Sequence, residues 1–212
     1  MSMERVEKIK CPDCGQEVEM TIWDSLNADL DPQAKEKLID GTLFLFQCPK
    51  CGHESMIAYS ILYHDMKNKV MVYCVPPEDV EFTIKQLAEI EQNLPAGVTS
   101  GYTTRVVYNQ NDLREKAIIF DNQLDDRIVE LVKLWYRMHI STHQPEMDIG
   151  KMYFFVENGK FMLQLYADRP LGAEISQKLY EDIKNDFATI VDTPENNNAV
   201  IDMDWAMKLL IK

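Results

Sequence analysis

The sequence predicts an α+β protein: an antiparallel β module at the N-terminus, followed by a mixed α/β region. Three observations point there. Two near-identical pentapeptides, Cys11-Pro12-Asp13-Cys14-Gly15 and Cys48-Pro49-Lys50-Cys51-Gly52, lie among short segments with the period-two alternation of strands. Beyond residue 76, segments of helical period alternate with strand-like ones. Late in the chain, Asn158-Gly159 joins two strand-like runs, the strongest short hairpin signal.

Each element has its own reason. Val18, Met20 and Ile22 alternate with Glu17, Glu19 and Thr21, so Glu17–Trp23 reads as a strand. Asp31-Pro32 opens a helix, with Asp31 as cap and Pro32 in the first turn, and Asp40-Gly41 closes it. Thr42–Gln47 is an apolar strand that leads into the second box. Glu54–Leu62 and Lys69–Val75 read as two further strands, joined through a turn at Met66–Lys69 in which Asn68 is the residue suited to a left-handed conformation.

Pro76-Pro77 marks the expected boundary between a 1–76 module and a 77–212 region. Glu78, Asp79 and Glu81 then suit a helix N-terminus, with Val80, Ile84, Leu87 and Leu94 on its apolar side and Pro95-Ala96-Gly97 at its end. Tyr102–Tyr108 reads as a strand. Asn109–Phe120 reads as a helix capped by Asn109 or Asn111. Leu124, Ile128, Leu131, Trp135 and Met138 recur at steps of four and three, which predicts a helix over Leu124–His139 with a core-facing stripe; Asp125, Asp126, Arg127, Glu130 and Lys133 fall on the other side. Strands at Lys151–Val156 and Lys160–Ala167, a helix at Glu174–Phe187, a polar loop at Asp192–Asn198 and a short helix at Asp204–Leu210 complete the chain.

The two boxes carry the chemistry. Two CPxCG turns supply four thiolates, the number a closed tetrahedral zinc site takes, so Cys11, Cys14, Cys48 and Cys51 are the expected ligands and the first module reads as zinc-ribbon-like. Pro12 and Pro49 pre-set the turn, and Gly15 and Gly52 supply positive φ. A redox dithiol is the rival reading, but such motifs usually occur singly and open a helix, whereas a strand follows here. Four thiolates leave a structural Zn2+ no open position for substrate. His53 follows the second box as a bystander, and Cys74, in the apolar run Val70–Val75, reads as a small buried hydrophobe.

Composition narrows the setting. The 212 residues are 46% hydrophobic and 27% charged, with five cysteines and a net charge of −13. Thiolates that hold zinc need a reducing compartment, and the N-terminus shows no signal peptide or membrane-spanning run, so the cytoplasm is the expected location. The negative charge is spread: residues 1–80 hold eight Lys or Arg against fourteen Asp or Glu, and residues 81–212 hold fourteen against twenty-one. Without a basic stripe, phosphate neutralisation has no carrier, which argues against nucleic acid as a partner. The leading expectation is therefore a non-enzymatic interaction protein with a protein partner. Two alternatives stand beside it. One is an enzyme with its site at Tyr63-His64-Asp65, although neighbours on a strand point to opposite faces. The other is single-stranded nucleic-acid binding through Trp23 and Tyr59. His139 and His143 share a helix face four residues apart, yet Ile140 stands where a zinc protease helix carries Glu.

The run Ile9–Gly15, the segment Trp23-Asp24-Ser25-Leu26-Asn27, the box Cys48–Gly52 and the stretch Leu62-Tyr63-His64-Asp65-Met66 together resemble the CpXC domain family of bacteria and archaea. Ile119-Phe120-Asp121 and Leu124-Asp125-Asp126-Arg127 extend the likeness, so that it covers about the first 140 residues. It implies metal ligation at Cys11, Cys14, Cys48 and Cys51, and it implies no substrate.

Overall fold

The computed structural model describes residues 2–93, 101–167, 171–193, 196 and 198–210. The chain divides into two compact units, Met1–Arg114 and Glu115–Lys212. Among the described residues, no helix is long and apolar enough to cross a membrane. Helices and strands are both present in quantity, with an antiparallel-rich N-terminal sheet, as an α+β class requires.

In the first unit, β1 (Met3–Lys10) and β2 (Glu17–Asn27) form an antiparallel hairpin. α1 (Pro32–Asp40) follows, ended by Gly41 at φ 88°. The side chain of Asp31 does not cap it; that carboxylate instead accepts a hydrogen bond from the Ser2 hydroxyl. β3 (Leu45–Gln47) and β4 (Glu54–Met56) make a second, small hairpin. β5 (Ile61–Asp65) and β6 (Val70–Cys74) return to the first sheet. The single strand expected over Glu54–Leu62 is thus two strands in two different sheets. In the turn after β5, Lys69 rather than Asn68 takes positive φ, at 54°. Asn68 is held by Asp65, which accepts from both its backbone N–H and its side-chain amide.

A 3-10 turn over Pro77–Asp79 leads into α2 (Val80–Asn93), whose apolar side is half-covered rather than buried. The end expected at Leu94 and Pro95-Ala96-Gly97 lies outside the described residues. β7 (Thr103–Val107) then pairs in parallel with β6. The main sheet runs β1-β2-β5-β6-β7, with parallel pairs at β2–β5 and β6–β7. Pro76-Pro77 therefore lies within the first unit, and the units separate further on, inside α3 (Gln110–Asp121). Asn109 caps α3 by accepting from the N–H groups of Asn111 and Asp112. Leu26, Tyr63, Val70, Val72 and Val106 fill the unit's core.

The second unit is built around α4 (Asp126–His143), which packs on α5 (Gln177–Val191) and α6 (Met203–Leu210). Asp125 caps α4 by accepting from the Arg127 N–H, and Ser176 caps α5 through the Leu179 N–H. β8 (Met152–Glu157), β9 (Lys160–Leu165) and β10 (Leu171–Glu174) form an antiparallel sheet. Asn158 and Gly159, at φ 51° and 76°, make the tight turn that the sequence predicts. The helix expected from Glu174 begins at Gln177 instead, because Leu171–Glu174 is consumed by pairing with β9. Of the expected Asp192–Asn198 loop, residues 194, 195 and 197 lie outside the described residues.

Candidate metal centre

Each cysteine box is the turn of a hairpin: residues 11–16 join β1 to β2, and residues 48–53 join β3 to β4. The two turns repeat one hydrogen-bond scheme. The Cys11 N–H donates to the Gln16 carbonyl at 2.8 Å and the Gly15 N–H to the Cys11 carbonyl at 3.0 Å; the Cys48 N–H donates to the His53 carbonyl at 2.9 Å and the Gly52 N–H to the Cys48 carbonyl at 2.9 Å. Gly15 and Gly52 sit at φ 70° and 76°. A Cβ on Gly52 would meet nothing within 4 Å, so glycine is needed there for its backbone freedom and not for space.

The hairpins bring their four sulfurs together, all within 4.8 Å of one another. Cys11 Sγ lies 3.7 Å from Cys51 Sγ, and Cys14 Sγ lies 3.6 Å from Cys48 Sγ. Zinc–thiolate bonds of about 2.3 Å give a tetrahedron with sulfur–sulfur edges of roughly 3.8 Å, so the donor set and its spacing fit one tetrahedral ion. The first cysteine of each box is buried and the second is more open, and each close sulfur pair joins a buried cysteine of one box to the more open one of the other. Phe46 packs against Cys11 and Cys48, with Ile9, Val18, Met20 and Ile57 around them, which makes a small apolar base beneath the sulfurs. α1 occupies part of the long interval between the boxes.

Backbone N–H donors, Cys51 first and then Lys50, outweigh desolvation and pull Cys48 down to about 7. The His53 N–H favours the Cys51 thiolate, but desolvation and hydrogen bonding with the other three sulfurs outweigh it and push Cys51 up to about 12. A divalent ion held by the four sulfurs would displace their protons, and its binding would be coupled to folding of both hairpins. His53 contributes its backbone to this arrangement. Cys74 is buried in β6, and burial pushes its thiol up to about 12, in keeping with its reading as a small apolar residue.

The other sequence candidates are dispersed. Tyr63 and Asp65 lie on the buried face of β5, with 0% and 2% of their surface exposed, and the Tyr63 hydroxyl donates to the Asp65 carboxylate at 3.3 Å. His64 lies on the opposite face, where its Nε2 is 3.2 Å from the Tyr102 hydroxyl. The three residues therefore do not converge. Asp65 also accepts from Lys35 at 3.3 Å. Burial raises its carboxyl, but the Asn68 N–H and Lys35 together hold it below the usual carboxylate range. Tyr59 is half-buried with its ring 4.8 Å from that of Phe44, and burial raises its hydroxyl to about 12. Trp23 is half-buried as well. His139 and His143 are exposed on α4, with ring centres 4.1 Å apart, and His139 stacks on Trp135 at 5.0 Å.

The most substantial constellation outside the cysteines is one that the sequence does not reveal. Glu115 and Lys116 of α3 meet Asp126, Glu130 and Lys133 of α4, and all five are buried. Lys133 Nζ lies 2.7 Å from Glu115 and 2.8 Å from Glu130; Lys116 Nζ lies 2.8 Å from Asp126 and 3.9 Å from Glu130. Lys116 also donates to the Ile201 carbonyl, and Glu115 accepts from the Phe154 N–H. Burial works against the charge on Lys133, but Glu115 and Glu130 more than reverse it and raise its pKa. Glu130 and Lys133, expected on the outer side of α4, are interior; the outward part of the helix includes Trp135 and Met138 from the expected core stripe, with 41% and 53% of their surface exposed.

Fold and site thus define an α+β protein with a four-cysteine centre held between two hairpin turns. It belongs to the CpXC family: the family model described as CpXC protein matches residues 9–133, which include all four cysteines. No curated protein and no solved structure matches the chain.

Proposed function

We propose that Cys11, Cys14, Cys48 and Cys51 hold one Zn2+ as a structural centre, and that this centre organises a non-enzymatic interaction protein of the reducing cytoplasm with a protein partner. The single observation that carries this reading is the convergence of four sulfurs within 4.8 Å at the tips of two hairpins. A thiolate set of this kind suits zinc, and four protein ligands leave no coordination position for a substrate or activated water. Tyr63 and Asp65, the core of the enzymatic alternative, are committed to each other and to the buried face of the sheet. Elemental analysis of the purified chain tests the metal: about one zinc per chain is expected, and much less removes the proposal. Affinity capture with the metal-loaded protein tests the rest. A specific protein partner supports it, and turnover of a substrate with no partner recovered contradicts it.

A further inference from the structure

β1 is the outer strand of the main sheet, bonded along one side to β2. Seven of its eight residues are exposed, Val6 at 63%. β2 reaches β5 only through Ser25, Leu26 and Asn27, so over most of its length β1 belongs to a two-stranded ribbon with the cysteine turn at its tip. Two-stranded ribbons bury little surface and are marginal alone; a third strand is what stabilises them. Among the described residues no strand pairs with the outer edge of β1, which offers its N–H and C=O groups to such a strand.

Charged residues on an edge ordinarily discourage pairing, but here their order selects it. The regular stretch after the irregularity at Met3/Glu4 reads Glu4-Arg5-Val6-Glu7-Lys8. An antiparallel copy centred on Val6 places Glu4 opposite Lys8, Arg5 opposite Glu7 and Val6 opposite Val6, each pair on one face of the sheet. Every acid meets a base, and the apolar residue meets itself. The neighbouring registers that keep the faces matched fail: one places Arg5 opposite Arg5, the other Glu7 opposite Glu7. The segment also suits self-association because residues 2–10 hold three basic residues against two acidic ones, in a chain whose net charge is −13. Within one copy Arg5 pairs with Glu7 of its own strand at 2.9 Å and with Asp24 of β2.

We propose that two copies of this chain join through β1 in antiparallel register about Val6, forming a two-fold dimer with one continuous sheet. The inference rests on the geometry and charge order of β1 and stands whether or not the centre holds zinc.

Light scattering or sedimentation of the metal-loaded full chain across a concentration series tests it. The wild type is expected to dimerise. Val6→Glu, at a position exposed in the single chain, is expected to weaken the dimer by about tenfold or more, because like charges then face each other on the axis. Glu4→Lys and Lys8→Glu, each alone, set like charges opposite twice and are expected to weaken it similarly. Mixed together they are expected to restore association as a heterodimer, since every pair is then complementary. A wild type that stays monomeric at every concentration overturns the proposal. So does a dimer unchanged by Val6→Glu, or a mixture that associates no better than its separate components.

Discussion

Replacing Lys133 with Met should unfold the second unit far more readily than an ordinary helix substitution. The Lys133 ammonium is buried and lies within 2.7 Å of Glu115 and 2.8 Å of Glu130. Removing it leaves both carboxylates in the interior, with Lys116, already 2.8 Å from Asp126, as the remaining ammonium. Breaking a buried pair in this way costs about 3–5 kcal/mol, a large share of the roughly 5–15 kcal/mol that holds a domain together. The same network makes a contrasting prediction. Its described members are three carboxyl groups and two amines, one more acid than base. Glu130→Gln removes that surplus and leaves two one-to-one pairs, Asp126 with Lys116 and Glu115 with Lys133. Its effect should stay within about 1 kcal/mol. Urea unfolding followed by far-ultraviolet dichroism, with the buried Trp205 as a fluorescence reporter, measures both. If Lys133→Met costs less than about 1 kcal/mol, or Glu130→Gln costs as much as Lys133→Met, the picture of a charged network with one surplus carboxylate is wrong.

Cys48→Ser should lose the metal and loosen the N-terminal hairpins, seen as a lower and broader melting transition; a variant that melts like the wild type would show the centre to be dispensable for folding. Thiol titration should find no reactive cysteine in the metal-loaded native chain, four after chelation and all five only after denaturation, because Cys74 is buried with its thiol raised to about 12; early reaction of Cys74 would contradict its placement. Asp65→Ala should cost roughly 2–4 kcal/mol by removing the buried acceptor that Lys35, Tyr63 and Asn68 share. Because the folded carboxyl of Asp65 is lowered, its contribution is complete above the ordinary carboxylate range and fades as pH falls through its lowered pKa, below about 4. Asp65→Asn should flatten that acid limb of the stability curve, and an unchanged limb would refute the assignment.

The cysteine centre was legible because its determinants are local: each box carries its own proline, its glycine at positive φ and its two sulfurs within five residues. The hairpin at Asn158-Gly159 and the stop at Gly41 were readable for the same reason. The features that escaped depend on partners distant in sequence. Glu54–Leu62 looks like one strand, and only the pairing of β4 with β3 and of β5 with β6 splits it. Leu171–Glu174 is a strand because β9 is beside it. Glu130 and Lys133 look like an outer helix face until Glu115 and Lys116 are brought opposite them, and no periodicity within α4 carries that information. Tyr63-His64-Asp65 illustrates the converse, since the alternation of a strand already argues that neighbours diverge, and they do.

X-ray absorption at the zinc edge of the purified chain tests the central claim most directly. The account predicts one zinc per chain surrounded by four sulfur atoms at about 2.3 Å. A first shell containing oxygen or nitrogen, or a chain purified without zinc, would contradict a closed structural centre built from Cys11, Cys14, Cys48 and Cys51.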